Sequence, residues 1–299
     1  MISDNTQKLT KIGVFYDGNF FLHVSNYYNY VHERQSRLSI SGIHQFIRHY
    51  VANQQGTDER LCQIVDAHYF RGRLSARDAS EKENSLYFDR VFDDILMSEG
   101  VTTHYLPVRS NPQGARQEKG IDVWLALEAF ELAFYKRFDV LVLITSDGDY
   151  VPLVRKLNTL GTRVMVLSWD FEYSDKYGNR RTTKTSQDLL EDVSYPVAMH
   201  ELIESRARRN DPVVNGLFVP RMDRPRLQFD QDTNLQTSEI LSLKNGFGFI
   251  RYPNNNLFFH YTSVMDADFA DLEPGDPVTF RIIKNTDGND IATDVRLLN

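Results

Sequence analysis

Apolar residues fall in two patterns along this chain. In the first pattern they form short unbroken runs. Residues 140–144, Val-Leu-Val-Leu-Ile, are continuously apolar and are closed by Thr145-Ser146-Asp147-Gly148-Asp149-Tyr150. A run of that length ended by turn-forming residues reads as a strand buried on both faces, the kind found in parallel sheets. Residues 12–16 read as a second short buried strand, and 61–70, 101–108 and 163–167 as further strands. Between the runs the spacing turns helical. Ile40, Ile43, Ile47 and Val51 share one face, as do Leu86, Phe88, Val91, Phe92, Ile95 and Leu96 within 81–98. Further helices are predicted over 120–136, over 150–160 with Pro152 in the first turn and Gly161 as the stop, and over 186–205. Residues 168–184 read as a long polar loop. Strands alternating with helices predict an α/β fold, a parallel sheet with right-handed crossovers and helices on both faces.

The second pattern starts near Thr237. Short β-runs at 240–243, 247–251, 257–261, 278–284 and 291–297 are separated by turn signals at Asn245-Gly246, Pro253-Asn254 and Asp287-Gly288. They predict a small all-β barrel of OB type. Residues 206–236 are rich in arginine and proline and read as a semi-extended linker. The expected organisation is an α/β domain over 1–205, a linker over 206–236 and a barrel over 237–299.

Composition narrows the classes. The 299 residues suffice for two domains at ~150 residues each. No apolar run approaches the ~18 residues of a membrane span, and the N-terminus lacks a signal-peptide core. The single cysteine, Cys62, excludes an internal disulfide and a cysteine-based zinc cluster. A cytoplasmic protein is expected. The net charge of −7 gives no global attraction to nucleic acid, so such binding needs local basic patches.

Candidate chemistry sits where apolar runs end. Asp147 and Asp149 straddle a glycine at the carboxyl end of one strand, and Asp17 ends another with Asn19 two residues on. Ligand crevices of open α/β sheets lie at that edge. Asp122 opens a helix whose Ala126, Ala129 and Ala133 share its face and permit close approach to a sheet. Carboxylates gathered there repel one another unless a cation lies between them, and hard divalent ions use such ligands. Such ions serve in-line displacement at phosphorus. The structural alternatives are that Asp147 caps the following helix and that Asp122 only complements its helix dipole. No dinucleotide fingerprint and no GxxxxGK[ST] phosphate loop is present. Three basic clusters follow strand ends: Arg71, Arg73 and Arg77; Arg109, Arg116 and Lys119; and Lys176, Arg180, Arg181 and Lys184. They suit the rim of a nucleic-acid site, or are plain solvated surface.

Asp17-Gly18-Asn19, Lys119-Gly120-Ile121-Asp122 and Ser146-Asp147-Gly148-Asp149-Tyr150, in this order over roughly 10–205, resemble the NYN domain of the PIN-like nuclease superfamily, LabA-like. Ser186 and Asp188 resemble the opening of its last helix. The resemblance implies a PIN-like Rossmannoid fold and a ribonuclease using Mg²⁺ or Mn²⁺. Asp17, Asp122, Asp147 and Asp149 would be metal ligands or orient the attacking water. Asn19 and Ser146 would orient those groups, and Lys119 would contact the scissile phosphate.

In the barrel, 244–250 and 257–261 resemble the two ribonucleoprotein motifs of cold-shock domains, and 272–278 matches the turn before that family's fourth strand. Alternation puts Phe247 and Phe249 on one face, with Phe258 and His260 on the corresponding face of the next run. The resemblance implies that these residues and Tyr261 stack on single-stranded bases; Lys244, Arg180 and Arg181 are further nucleic-acid-binding candidates as basic residues. The alternative is that the rings form core or an interdomain contact. Ser242 stands where the family usually has a stacking tryptophan, and 237–298 carries five Lys and Arg against nine Asp and Glu, net −4. The expected activity is metal-dependent RNA phosphodiester cleavage, with the barrel capturing single-stranded RNA. The alternatives are a non-catalytic RNA-binding regulator, a metal-dependent phosphatase and a barrel used for protein docking. No membrane partner is expected, and a homodimer would extend one RNA path.

Overall fold

The computed structural model describes residues 8–80, 85–110, 116–117, 119–174, 180–220, 235–244, 246–253, 255–265, 267, 269, 272–285 and 289–298. In chain order the elements are β1 (Thr10–Asp17), α1 (Gly18–Asn26), α2 (Ile40–Gln55), β2 (Cys62–Arg73), α3 (Ala76–Ser80), α4 (Ser85–Ser98), β3 (Thr102–Pro107), β4 (Arg109–Ser110), β5 (Arg116–Gln117), α5 (Ile121–Lys136), β6 (Val140–Ile144), α6 (Val151–Thr159), β7 (Arg163–Ser168), β8 (Phe171–Ser174), β9 (Arg180–Thr183), α7 (Gln187–Asp192), β10 (Tyr195–Ala198), α8 (Met199–Glu204), α9 (Pro212–Gly216), β11 (Leu235–Lys244), β12 (Phe247–Ile250), β13 (Leu257–His260), β14 (Pro277–Lys284) and β15 (Asp290–Leu297). They fall into two compact units, one of Met1–Arg73 with Asp94–Pro220 and one of Leu74–Asp93 with Arg221–Asn299.

The first unit is built on a parallel sheet of order β10-β7-β6-β1-β2-β3. Every residue of β6 is buried, which explains its unbroken apolar run. Ile121, Leu125, Ala129 and Ala133 of α5 pack on one face with Leu153, Val154 and Leu157 of α6. On the other face Tyr16 meets Phe21 of α1 at 5.4 Å and His44 of α2 at 6.1 Å between ring centroids. Helices thus cover both faces. At Gly13, where the β1–β2 register shifts, a Cβ would stand 2.6 Å from the Phe138 ring. The sheet and its cover tolerate no side chain there.

Three sequence expectations change. Residues 171–174 and 180–183 of the expected polar loop pair as an antiparallel hairpin. The expected helix over 186–205 is broken into α7, β10 and α8. Pro196 has no N–H for a helix, and it biases Tyr195 toward extended backbone. It is tolerated in β10 because that strand lies at the sheet edge. The expected linker also starts too early. Asp211 accepts the Val213 N–H at 2.9 Å to cap α9, Val214 and Leu217 are fully buried, and the Leu217 carbonyl accepts the Ser39 N–H at 2.8 Å. Residues 206–220 therefore belong to the first unit; 221–234 lie outside the described residues. The apolar set between Val213 and Phe218 was too short to show a period among arginines and prolines.

The second unit is a closed barrel in the order β11-β12-β13-β15-β14, filled by Ile250, Phe259, Val278, Phe280, Ala292 and Val295. Of its expected turns, Asn245, Asn254, Asp287 and Gly288 lie outside the described residues.

Two stability effects are expected. A Cβ on Gly42 would stand 1.9 Å from the Gly216 carbonyl oxygen, so Gly42→Ala must force α2 and α9 apart. Denaturant unfolding should show a loss of about 1–3 kcal/mol; unchanged stability would mean that 212–216 is not packed there. The second effect concerns pH. Burial, and then the Arg48 charge, lowers the His44 pKa to about 4. The unfolded chain therefore takes up this proton near the ordinary histidine value while the folded chain resists it. This contribution is intact above about pH 6.5 and is lost as pH falls toward 4, an effect of up to about 3 kcal/mol. His44→Gln should remove it, flattening the fall in melting temperature across that window.

Candidate functional site

The pairing of β1 with β6 sets Tyr16 beside Ile144, so the two strands end together. Asp17 leaves one strand and Thr145 the other. Asp17 caps α1, its Oδ1 accepting the Phe20 N–H at 3.1 Å, while its Oδ2 accepts the Thr145 hydroxyl at 3.3 Å. The buried Thr145 Oγ1 in turn accepts the Asp147 N–H at 3.2 Å. Asp147 Oδ1 accepts the Asp149 N–H at 2.9 Å, capping the single turn Gly148–Tyr150. The capping alternative is thus present for Asp147, and for Asp17 as well.

Tyr150 shows that more is gathered here than caps. Its side chain is buried, and its hydroxyl donates to Asp122 Oδ1 at 3.1 Å. Burial raises its pKa first, and the charges of Asp17, Asp122 and Asp147 raise it further. One carboxylate, Asp122, thus accepts the buried hydroxyl's hydrogen bond, and the charges of Asp17 and Asp147 act on it from nearby segments. Ala129 and Ala133 are buried against the sheet, which lets α5 come close enough to bring Asp122 to this point. Sequence pattern alone assigns no role to Tyr150 or Thr145. Their only signal was position, immediately beside the aspartates.

The other expected residues stand differently. Asp149 contributes its backbone N–H, and its carboxylate is exposed. Asn19 and Lys119 are exposed, and Ser146 is half-buried, with its carbonyl accepting the Ser186 N–H at 3.0 Å. A Cβ on Gly148 would meet Ser186 Oγ at 2.7 Å. Ser186 thus locks the loop carrying Asp147. Asp188 is exposed in the first turn of α7. Among the described residues no three His, Cys, Asp or Glu side chains are arranged to hold one metal ion.

Of the basic residues, Arg71 and Arg73 end β2, with the Arg73 guanidinium 4.7 Å from the Tyr105 ring centroid. Arg180 and Arg181 lie on β9 and are exposed, and Arg180 pairs with Glu172. Their hairpin rests on an aromatic cluster in which Phe171 stacks on Tyr27 at 4.4 Å and Tyr173 meets His23 of α1 edge-on at 4.9 Å. Lys184 is exposed. Lys176 and the side chains of Arg77, Arg109 and Arg116 lie outside the described residues.

On the barrel the pleat separates two sets of rings. Phe259 and Ile250 point into the core, and a Cβ on Gly248 would meet the Phe259 ring at 2.5 Å. Phe247, Phe249 and Phe258 lie half-buried on the outer face, with mutual centroid distances of 5.5 to 6.0 Å. Phe247 pairs across the strands with the exposed His260, and Phe249 with Phe258. Ser242 lies opposite Phe249, and the exposed Lys244 opposite Phe247.

Comparison with known proteins agrees with both halves. A solved structure of a protein of unknown function from Vibrio parahaemolyticus RIMD 2210633 is similar at 23% identity and a TM-score of 0.40, over 66% of this chain and 96% of that one. The family model described as "'Cold-shock' DNA-binding domain" matches residues 237–298. The NYN domain model matches residues 11–191, more than half of the chain. This chain belongs to the NYN-domain family and carries a cold-shock domain after its NYN domain.

Proposed function

We propose that this protein is a metal-dependent ribonuclease whose cold-shock barrel captures single-stranded RNA for cleavage at the site around Tyr150. The observation that carries this reading is the buried Tyr150 hydroxyl, which donates to Asp122 and whose pKa the charges of Asp17, Asp122 and Asp147 raise. Carboxylates that act on one hydroxyl from separate segments raise the cost of one another's charge, and a divalent ion offsets it. Fixed negative charge at the carboxyl edge of a parallel sheet therefore argues for a cationic occupant.

The donor chemistry fits Mg²⁺ or Mn²⁺, since all the candidate donors are carboxylate oxygens. Asp17, Asp122, Asp147 and Asp149 are the carboxylates that would turn onto the ion, since no three of them are arranged to hold one as they stand. When bound, such an ion supplies a more acidic water and neutralises charge on a phosphoryl oxygen. The protein's own groups prepare the site. Thr145 ties Asp17 to the Asp147 loop, and Tyr150 fixes the rotamer of Asp122. Lys119, just before α5, is a cation for the scissile phosphate, and Asn19 and Ser146 are polar groups for orienting carboxylate or water. Arg71, Arg73, Arg180, Arg181 and Lys184 supply phosphate contacts that the acidic whole lacks. The outer rings Phe247, Phe249 and Phe258, with His260 and Tyr261, provide a stacking platform. Because the barrel is acidic, its capture of RNA is weak alone and effective through tethering.

A second reading, a non-catalytic RNA-binding regulator, is favoured by the capping bonds of Asp17 and Asp147, which need no metal.

Mg²⁺ or Mn²⁺ titrated into wild-type protein should give metal-dependent cleavage of labelled single-stranded RNA. Asp147→Asn should reduce it by more than the about 10–100-fold typical of losing an outer-shell partner. Tyr150→Phe should fall within that about 10–100-fold range. RNA binding without cleavage in a metal-saturated wild type would establish the regulator, and cleavage undiminished in Asp147→Asn would betray a contaminant. Phe247→Ala with Phe258→Ala should weaken single-stranded RNA binding by ~1–3 kcal/mol per base lost; unchanged binding would remove the barrel as the capture surface.

A further inference from the structure

The second unit is not the barrel alone, because it includes Leu74–Asp93 from the excursion between β2 and β3. Two consecutive residues of that excursion reach the aromatic edge of the barrel. Phe88 is half-buried and packs against the barrel core, together with Tyr261. Its ring meets Tyr261 edge-on at 5.9 Å and 80°. Tyr87 meets Tyr261 at 6.2 Å and 62°, and meets Phe88 at 5.5 Å, yet is 38% exposed. One residue anchors the segment, and its neighbour leaves a ring at the surface.

That ring continues a row. Phe249, Phe258 and Phe247 are mutual neighbours, and Phe247 pairs across the strands with His260. The His260 ring lies 4.4 Å from Tyr261, and Tyr261 touches Tyr87. Tyr261 is held in place by its N–H, which donates to the Gly246 carbonyl at 2.9 Å. The row therefore runs from the β12–β13 face onto a helix far away in sequence. Contacts with Phe88 and Tyr261 hold the Tyr87 ring while the residue stays 38% exposed, which leaves aromatic surface open to a stacking base.

We propose that Tyr87 is a base-stacking residue that extends the single-strand platform by one nucleotide beyond Tyr261. The platform is thereby completed by a residue outside the cold-shock segment itself. This inference rests on the reading of the barrel face as a single-strand surface. It also bears on the missing tryptophan: with Ser242 opposite Phe249, one end of the platform is weak, and Tyr87 adds a ring at the other.

The test is fluorescence anisotropy of the full chain with labelled oligouridylates of increasing length, in chelator to prevent cleavage. Wild type should gain affinity at the length that first reaches Tyr87. Tyr87→Ala should lose that step, binding longer oligomers about fivefold or more weakly, the equivalent of one stacked base. It should match wild type on shorter oligomers. Tyr87→Phe, which keeps the ring, should retain the step. Tyr87→Ala is an exposed helix substitution, and its melting temperature checks the fold. Phe247→Ala separates the two levels of inference. If Phe247→Ala weakens binding while Tyr87→Ala leaves it unchanged or tighter at every length, the Tyr87 proposal fails and the platform reading stands; tighter binding would make the excursion a cover over Tyr261. If neither substitution weakens binding, the platform reading fails and takes the proposal with it.

Discussion

The parallel pairing of β1 with β6 is the constraint on which the first unit depends. Both strands are buried, so their backbone groups must be satisfied within the sheet. The register that does so sets Tyr16 against Ile144. The chain then leaves both strands at the same level, with Asp17 from one and Thr145-Ser146-Asp147 from the other. Neither aspartate could be brought to the other by local structure alone. Each is also drawn into local work as a cap, so the loops are rigid before any ligand arrives.

α5 completes the arrangement by a packing rule. Small side chains at Ala129 and Ala133 let it lie close to the sheet, and its first turn then delivers Asp122 to the Tyr150 hydroxyl. Tyr150 is poised between two environments. The apolar cluster of α5, α6 and α7 buries its ring, while its hydroxyl donates to Asp122 and feels the charges of Asp17 and Asp147. Its raised pKa keeps it a hydrogen-bond donor, which suits a group that must hold a carboxylate. The carboxylates thus stand at the solvent edge of a well-packed core, and Tyr150 joins the two.

In the barrel the alternation of the pleat does the sorting. Phe259 fills the interior, Gly248 makes room for it, and the rings on either side of Gly248 are turned outward. One short stretch thus serves stability and surface chemistry together, because period 2 gives alternate residues to opposite faces. The docking of Phe88 beside Tyr261 shows that the unit's aromatic edge is assembled from segments far apart in the chain.

Much of this was legible in the sequence. The apolar runs marked the central strands β1, β6 and β7, because a strand buried on both faces has few polar positions to spare. The carboxylates at the ends of 12–16 and 140–144 were visible as the places where those runs stop, and the barrel rings as an alternation. What the sequence did not carry were relations between segments with little local signal. Pro196 ends a helix and starts an edge strand, but only the neighbouring β7 gives that strand a partner. α9 is too short to announce itself, and it is held by a close approach at Gly42. Tyr150 reads as an ordinary core aromatic until Asp122 from another helix accepts its hydroxyl's hydrogen bond, and Tyr87 as one residue of an amphipathic helix until it meets Tyr261. Periodicity records how a segment divides its residues between core and solvent, and that is a local property. Which charge or ring stands opposite them is decided only when the sheet and the barrel close.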